Sequence, residues 1–256
     1  MNRDIFGERP DLVSISFLQD HCPPEGFWVA CSFGKDSIVA LDLVRRSGCA
    51  HEVHYNNTTC DPPELLAFAK EHYPDVAWDR PKMSMWALIE RKGLPSRQFR
   101  FCCDVLKERG GIGRRVVTGI RAEESVARRH RGPLEQSKRG PAKSFIHPIF
   151  NWSSADVWQY IREHEMPYCR LYDEGYRRIG CTICPFHGKA ETQQSLLRWP
   201  KIWAAARRAF QRRWDKSLMA DSVKARFADA EAMWQWWIAR DEPYPEPQRT
   251  CEGIFV

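Results

Sequence analysis

Apolar residues cluster in short runs separated by longer stretches with helical spacing, and the two kinds of segment alternate along most of the chain. The run Phe27 to Cys31 predicts a buried strand, and Ile38, Val39, Leu41 and Leu43 after it predict an amphipathic helix. A second strand is expected over His51 to Asn56. A helix over Pro62 to His72 follows, with Leu65, Leu66 and Phe68 facing inward. Further strands are expected at Val76 to Trp78 and Val116 to Ile120, and helices at Met83 to Arg91 and Phe101 to Arg109. Ser153 or Ser154 opens another helix, with Asp156 completing a capping-box pattern and Val157, Trp158 and Ile161 on its apolar side. Strands alternating with helices imply an α/β fold: a parallel sheet with helices on both faces. Ligands bind beyond the carboxyl ends of such strands, so the loops after Cys31, Asn56 and Ile120 are expected to line one crevice.

The last quarter changes character. From Pro200 onward Trp203, Ala206, Phe210 and Trp214 share one helical face, and Met233, Trp234, Trp236 and Trp237 follow. Aromatic stripes at this spacing usually pack on a core, which is the favoured reading; a nucleic-acid surface built on Arg208, Arg212 and Arg213 is the alternative. The stretch from Arg121 to Lys143 is polar and basic, carries Arg128, Arg129, Arg131, Lys138 and Arg139, and reads as a long mobile loop. These shifts suggest a first, α/β domain over 1–188 and a Trp-rich helical C-terminal extension over 189–256.

Composition narrows the chemistry. The 256 residues are 43% hydrophobic, enough for a substantial core, and no run of eighteen apolar residues occurs. The opening Met1-Asn2-Arg3-Asp4 lacks the apolar block of a secretory signal, so a cytoplasmic protein without a membrane anchor is expected. Ten cysteines in such a protein point to metal or redox work rather than disulfides. A net charge of +6 suits an anionic ligand, a nucleotide or a nucleic acid.

Ser32-Phe33-Gly34-Lys35-Asp36-Ser37 lies between the first strand and its helix. Unpaired backbone amides and the positive end of the helix dipole favour a multiply charged anion there. Gly34 lets the backbone come close, Lys35 adds a cation, and Ser32 and Ser37 add hydroxyls. The spacing is neither that of a Walker loop nor that of a dinucleotide fingerprint. Separately, Cys102-Cys103 and Cys181-Thr182-Ile183-Cys184 form two thiol pairs able to present four ligands.

The hexapeptide resembles the PP-loop of ATP pyrophosphatases and of the phosphoadenosine phosphosulfate reductase family, with Phe33 in place of a glycine. Thr118-Gly119-Ile120-Arg121-Ala122-Glu123-Glu124-Ser125 is similar to the family's second nucleotide segment. Pro148-Ile149-Phe150-Asn151-Trp152 with Asp156-Val157-Trp158 resembles the segment that precedes the family's distal helix, and Leu171-Tyr172-Asp173-Glu174-Gly175-Tyr176 running into Cys181 resembles its cysteine-bearing loop. The resemblance spans about Phe27 to Phe186. It implies an adenine nucleotide alpha-hydrolase-like fold binding ATP, adenylylsulfate or phosphoadenylylsulfate with magnesium. Ser32, Phe33, Gly34, Lys35, Asp36, Ser37, Gly119, Arg121 and Glu124 would then contact the nucleotide, with Lys35, Asp36 and Arg121 as the catalytic groups.

The paired cysteines resemble those of adenylylsulfate reductases, which implies a four-iron four-sulfur cluster on Cys102, Cys103, Cys181 and Cys184; zinc is the alternative. Similar sets occur in relatives that act in DNA phosphorothioation. The family's reductases carry a nucleophilic cysteine in an E-C-G-[LI]-H segment, whereas Cys251 here stands in Arg249-Thr250-Cys251-Glu252-Gly253-Ile254. The leading expectation is therefore an ATP pyrophosphatase-type enzyme that adenylylates an acceptor, DNA or RNA among the candidates, for sulfur transfer. Arg128 and Arg129 are candidate contacts to that acceptor, and a sulfur-donor protein or modification-complex subunits are candidate partners. A sulfonucleotide reductase producing sulfite, and a catalytically silent nucleotide-binding subunit, are the alternatives.

Overall fold

The computed structural model describes residues 9–137, 142–240 and 242–246. In chain order its elements are α1 (Pro10–Asp20), β1 (Phe27–Ala30), α2 (Lys35–Ser47), β2 (His51–Asn56), α3 (Pro63–His72), β3 (Ala77–Asp79), α4 (Met85–Lys92), a π-helical turn (Cys103–Lys107) and β4 (Arg115–Val117). Then follow α5 (Val126–Arg129), β5 (Leu134–Gln136), β6 (Ser144–Ile146), α6 (Ser154–Glu163), α7 (Lys189–Arg198), α8 (Pro200–Asp215), α9 (Asp221–Lys224) and α10 (Ala230–Ala239), with 3-10 turns at Ala122–Glu124 and Arg170–Tyr172.

The described chain divides into two compact units, and not by a cut at residue 188: the first comprises 1–57, 62–80 and 108–180, the second 58–61, 81–107 and 181–256. The expected boundary fails because the loop after β2 and the segment around Cys102 share a hydrophobic core with the C-terminal helices. That core includes Cys60, Leu88, Phe101, Cys102, Cys181, Trp203, Phe210, Trp234 and Trp237.

The first unit is built on a mostly parallel six-stranded sheet in the order β3-β2-β1-β4-β6-β5. Aromatic and β-branched residues suit β1 to its central place. There Phe27 aligns with His51 and Val29 with Val53 on one side, and Trp28 with Val116 on the other. Only β5 runs antiparallel, pairing Glu135 with Phe145 at the edge. α2 follows β1 directly and is packed by α1 and α6. It ends at Gly48, whose left-handed φ of 73° costs a glycine nothing. α6 opens with the expected capping box: the Asp156 amide donates to Ser153 Oγ (3.1 Å) and the Ser153 amide to Asp156 Oδ2 (2.8 Å).

Three expectations need correction. Residues 121–143 are not one mobile loop, since a 3-10 turn, α5 and β5 fall inside them. Arg128 pairs with Glu124 and Arg131 with Glu135, so opposite charges four residues apart hold these turns. The strand expected over Val116 to Ile120 stops at Val117, because the chain turns there to carry Gly119 onto α2. The helix expected over Phe101 to Arg109 is π-helical from Cys103 to Lys107, a widened turn that often marks functional sites.

The second unit collects α4 and α7 to α10. Packing rather than nucleic-acid contact accounts for its aromatic stripe: Trp203, Phe210, Met233, Trp234 and Trp237 are all buried. Arg212 Nε donates to Glu90 Oε2 (2.7 Å), and Arg213 Nη1 donates to the Glu90 and Arg91 carbonyls at the end of α4 (3.1 and 2.6 Å). Two of the three arginines considered for nucleic acid thus hold α8 to α4. Among the described residues no helix is long and apolar enough to cross a membrane.

Candidate functional site

The loop Ser32–Ser37 begins where β1 ends, at the carboxyl edge of the central strand. Gly34 is the N-cap of α2. The Gly34 and Asp36 amides donate no hydrogen bond to any described residue, whereas the Lys35 amide donates to Tyr172 Oη (2.8 Å). Ser37 Oγ donates to the Gly34 carbonyl (2.9 Å) and lies 3.3 Å from Ser32 Oγ, closing the loop on itself.

Phe33 stands where the loop needs a left-handed residue, at φ 58°. Its side chain is fully buried, with ring centroids 4.9 Å from Tyr55, 5.6 Å from Tyr73 and 6.2 Å from Trp78. The side chain therefore belongs to the core, leaving only the Phe33 backbone for a ligand. A positive φ is strained for a bulky residue, and burial among three rings offsets that strain.

The charged groups meet at Asp36. Lys35 Nζ donates to both its carboxylate oxygens (2.9 and 2.8 Å), and Arg121 Nε donates to Oδ1 (2.6 Å). Lys35 and Arg121 are both buried, at 5% and 4% exposure, so their charges are weakly screened. Arg121 Nη1 also donates to Glu123 Oε2 (2.7 Å) and the Trp152 carbonyl (3.3 Å), which fixes the plane of the guanidinium. Burial pulls its pKa down, and the Asp36 charge and hydrogen bond, together with Glu123 and Glu124, more than restore it. Glu124 serves the same turn, accepting from the Arg121 amide (3.0 Å). Gly119 brings the β4 loop against α2: a Cβ there would lie 2.5 Å from the Asp36 carbonyl oxygen. The expected nucleotide residues are thus brought together, with Glu124 holding Arg121 in place.

Tyr172 is a site residue that sequence reasoning did not single out, although it lies in the quoted Leu171–Tyr176 segment. Its hydroxyl caps the first amide of α2 and stands 3.4 Å from where a Cβ on Gly34 would be. Nothing local in the sequence marks a tyrosine 137 positions away as a helix cap. Tyr172→Phe frees the Lys35 amide and should lower the melting temperature by a few degrees, since one intramolecular hydrogen bond is worth about 1 kcal/mol. Calorimetric melting of the two proteins tests this.

The paired cysteines and Cys60 lie in the second unit. The C-x-x-C turn is tied to the loop after β2, where Thr182 donates to the Cys60 carbonyl through its amide (2.9 Å) and its hydroxyl (3.0 Å). It is tied to α7 and α8 as well. Ser195 Oγ donates to the Thr182 carbonyl (2.8 Å) and accepts from Trp203 Nε1 (3.0 Å). The Trp-rich helices are therefore the scaffold of this turn. The Cys60 thiol donates to Cys181, which lowers the Cys181 pKa against the effect of burial; Lys107 lowers it further. A hydrogen bond to Cys103, then burial, pushes Cys102 far up, and Cys181 and Cys184 are close enough to add to the shift. Cys60, a fifth thiol at this place, looked scattered in the sequence.

As the side chains stand, no group of three or more His, Cys, Asp or Glu among the described residues is arranged to hold a metal ion. In kind the donors nonetheless fit: four mutually interacting thiols are soft ligands of the sort iron-sulfur clusters and zinc take. Cys251 lies outside the described residues. A separate cavity of about 520 Å³ in the first unit, lined among others by Phe17, His147 and Trp152, includes none of the residues of the loop 32–37.

Residues 26–187 match the phosphoadenosine phosphosulfate reductase domain family. The chain belongs to that family. Curated relatives include an adenosine 5'-phosphosulfate reductase of Shouchella clausii, 30% identical over 60% of this chain and 69% of its own length. Adenosine 5'-phosphosulfate reductase 2 of Bacillus subtilis is 29% identical over 66% of this chain and 77% of its own. An uncharacterised protein of Methanocaldococcus jannaschii is 27% identical over 81% of this chain, which spans only 45% of that protein's length. Among solved structures, the phosphoadenylyl-sulfate reductase of Candida auris aligns with a TM-score of 0.51 at 21% identity, covering 70% of this chain and 91% of its own. That likeness carries the fold, and α8 and α10 lie beyond the matched family segment.

Proposed function

We propose that this family member is a PP-loop enzyme that binds an adenine nucleotide by its phosphate chain and transfers the adenylyl group to an acceptor oxygen, as the first half of a sulfur transfer. The observation that carries the reading is the placing of Lys35 and Arg121 on one carboxylate at the amino end of α2. Two cations, the unpaired amides of Gly34 and Asp36 and a helix dipole all lie at the amino end of α2, a combination suited to polyphosphate.

In this mechanism the acceptor oxygen forms a bond to the α-phosphorus while the bond from that phosphorus to its bridging oxygen breaks. Pyrophosphate leaves with the electron pair, and the acceptor's proton passes to solvent. Lys35 and the loop amides hold the leaving pyrophosphate, and Arg121 neutralises charge that grows on the α-phosphate. Asp36 keeps both cations in place and would hold magnesium, which when bound would supply further charge neutralisation. A hydrosulfide-level donor then displaces AMP from the activated acceptor. Cys102, Cys103, Cys181 and Cys184 would hold the iron-sulfur cluster, which supplies a soft centre for handling sulfur.

Reduction of adenylylsulfate is the second reading, favoured by the names of the Shouchella and Bacillus relatives. Thermal shifts of anaerobically prepared protein with magnesium ATP, adenylylsulfate and phosphoadenylylsulfate separate the two, because a ligand of the folded state raises stability as RT ln(1 + [L]/Kd). Stabilisation by magnesium ATP above either phosphosulfate is the expected result. The reverse order would overturn adenylyl transfer in favour of reduction.

A further inference from the structure

Trp237 Nε1 donates to the Pro95 carbonyl (2.8 Å) and pins the start of a loop over residues 96–100, every residue of which is exposed. The loop closes on itself: the Phe99 amide donates to Ser96 Oγ (3.0 Å) and the Ser96 amide to the Phe99 carbonyl (3.3 Å). Its far end leads to the π-helical turn, where the Cys103 amide donates to the Arg100 carbonyl (2.9 Å). Both arginines of the loop reach the chain just after the C-x-x-C pair. Arg97 Nε donates to the Pro185 carbonyl (3.3 Å), and the Arg100 guanidinium lies 5.6 Å from the centroid of the Phe186 ring. Phe99 rests against the buried Phe101, with 5.6 Å between ring centroids, yet is 61% exposed, and Phe186 is 44% exposed. A single exposed apolar residue is ordinary. Two phenylalanines held open on one surface by a hydrogen-bonded loop, among guanidinium groups, are not.

The charge of this surface is one-sided. Residues 91–103 and 181–190 contribute Arg91, Lys92, Arg97, Arg100 and Lys189 and no Asp or Glu. Among the described residues neither Arg97 nor Arg100 has a carboxylate partner, whereas Arg128 and Arg212, the arginines that composition alone would put forward, are paired with Glu124 and Glu90.

We infer that residues 96–100 with Phe186 form a docking surface for single-stranded nucleic acid. As an assignment of the acceptor, this rests on the adenylyl-transfer reading above. Each nucleotide offers a flat base and an anionic phosphate, and Arg97-Gln98-Phe99-Arg100 sets an aromatic ring between two cations. Bases stack on Phe99 and Phe186 while Arg97 and Arg100 meet phosphates. A duplex keeps its base faces stacked inside and an acidic peptide has none, so both would leave the two rings in water.

The test is fluorescence anisotropy of full-length, anaerobically prepared protein with a labelled strand of about 12 nucleotides, as DNA and as RNA, with the corresponding DNA duplex and with labelled polyglutamate. Wild type should bind at least one of the single strands more tightly than the duplex and polyglutamate. Phe99→Ala and Phe186→Ala should each weaken that binding ~5- to 150-fold, the range for losing one base stack, and Phe99→Trp should retain it. Arg100→Gln should lower the slope of log K against log salt by about 0.7, as for one phosphate contact on a single strand. Single strands bound no better than the duplex or polyglutamate, or bound equally by wild type and both alanine variants, would overturn the surface. The melting shift with magnesium ATP, recorded on the same samples, keeps the two readings apart. A shift without single-strand binding would overturn the surface and leave adenylyl transfer standing, whereas single-strand binding that depends on Phe99, without a shift, would overturn adenylyl transfer and leave the surface standing.

Discussion

Arg121→Ala should weaken adenine-nucleotide binding by about 30- to 1000-fold, the equivalent of roughly 2–4 kcal/mol for losing one partner of a buried, hydrogen-bonded charge pair. The size follows from where Arg121 sits. It is 4% exposed, locked by Glu123 and the Trp152 carbonyl, and shares Asp36 with Lys35. A phosphate gains a cation there that needs no reordering on binding. Arg121→Lys keeps the charge but loses the planar fork, so it should fall between wild type and Arg121→Ala. Calorimetric titration of all three gives the comparison. Arg121→Ala also leaves Asp36 to Lys35 alone, so its melting temperature must be recorded beside its affinity. A variant that stays folded and binds as wild type would remove Arg121 from the site.

The largest effect on stability is expected from Phe33→Ala, at about 3–5 kcal/mol, the usual cost of emptying a buried aromatic position. The ring is fully buried among Tyr55, Tyr73 and Trp78, so the space it leaves is walled by side chains of β2, β3 and the end of α3. Phe33→Gly, which returns the glycine found at this place in the family's loop, relieves the strain of φ 58° by about 1 kcal/mol but empties the same volume. It should therefore remain destabilised, by less than the alanine variant. Denaturant melts of the three proteins test both statements. A Phe33→Gly protein more stable than wild type would mean that strain outweighs packing here.

Much of the sheet was legible because its signals are local. β1 read as an apolar run, the Ser153 cap as a four-residue pattern, and the phosphate loop as an interruption between a strand and a helix. β5 and β6 were not legible. Both are three residues long, and only the sheet edge they complete makes strands of such polar segments as Leu134–Gln136. Membership of the loop 32–37 could be read from residue types, but not the direction of each side chain. The backbone sign at Phe33 decides that its ring enters the core, and a tyrosine far along the chain caps the loop. The four paired cysteines were found by spacing. Cys60 was missed because its place beside the C-x-x-C turn depends on a fold-back that no local pattern encodes. The Trp-rich stretch read correctly as core, while its tie through Ser195 to the C-x-x-C turn is a tertiary fact.

Adenylyl transfer at this site requires residues 32–37 with Arg121 to hold a nucleotide phosphate chain. The most direct measurement is a calorimetric titration of anaerobically prepared wild-type protein with magnesium α,β-methylene ATP, which cannot be cleaved at the reacting bond, repeated in the presence of inorganic pyrophosphate. The expected result is saturable binding at one site, with pyrophosphate competing directly because it occupies the same loop amides and Lys35. Absence of binding, or binding that pyrophosphate leaves unchanged, would contradict it.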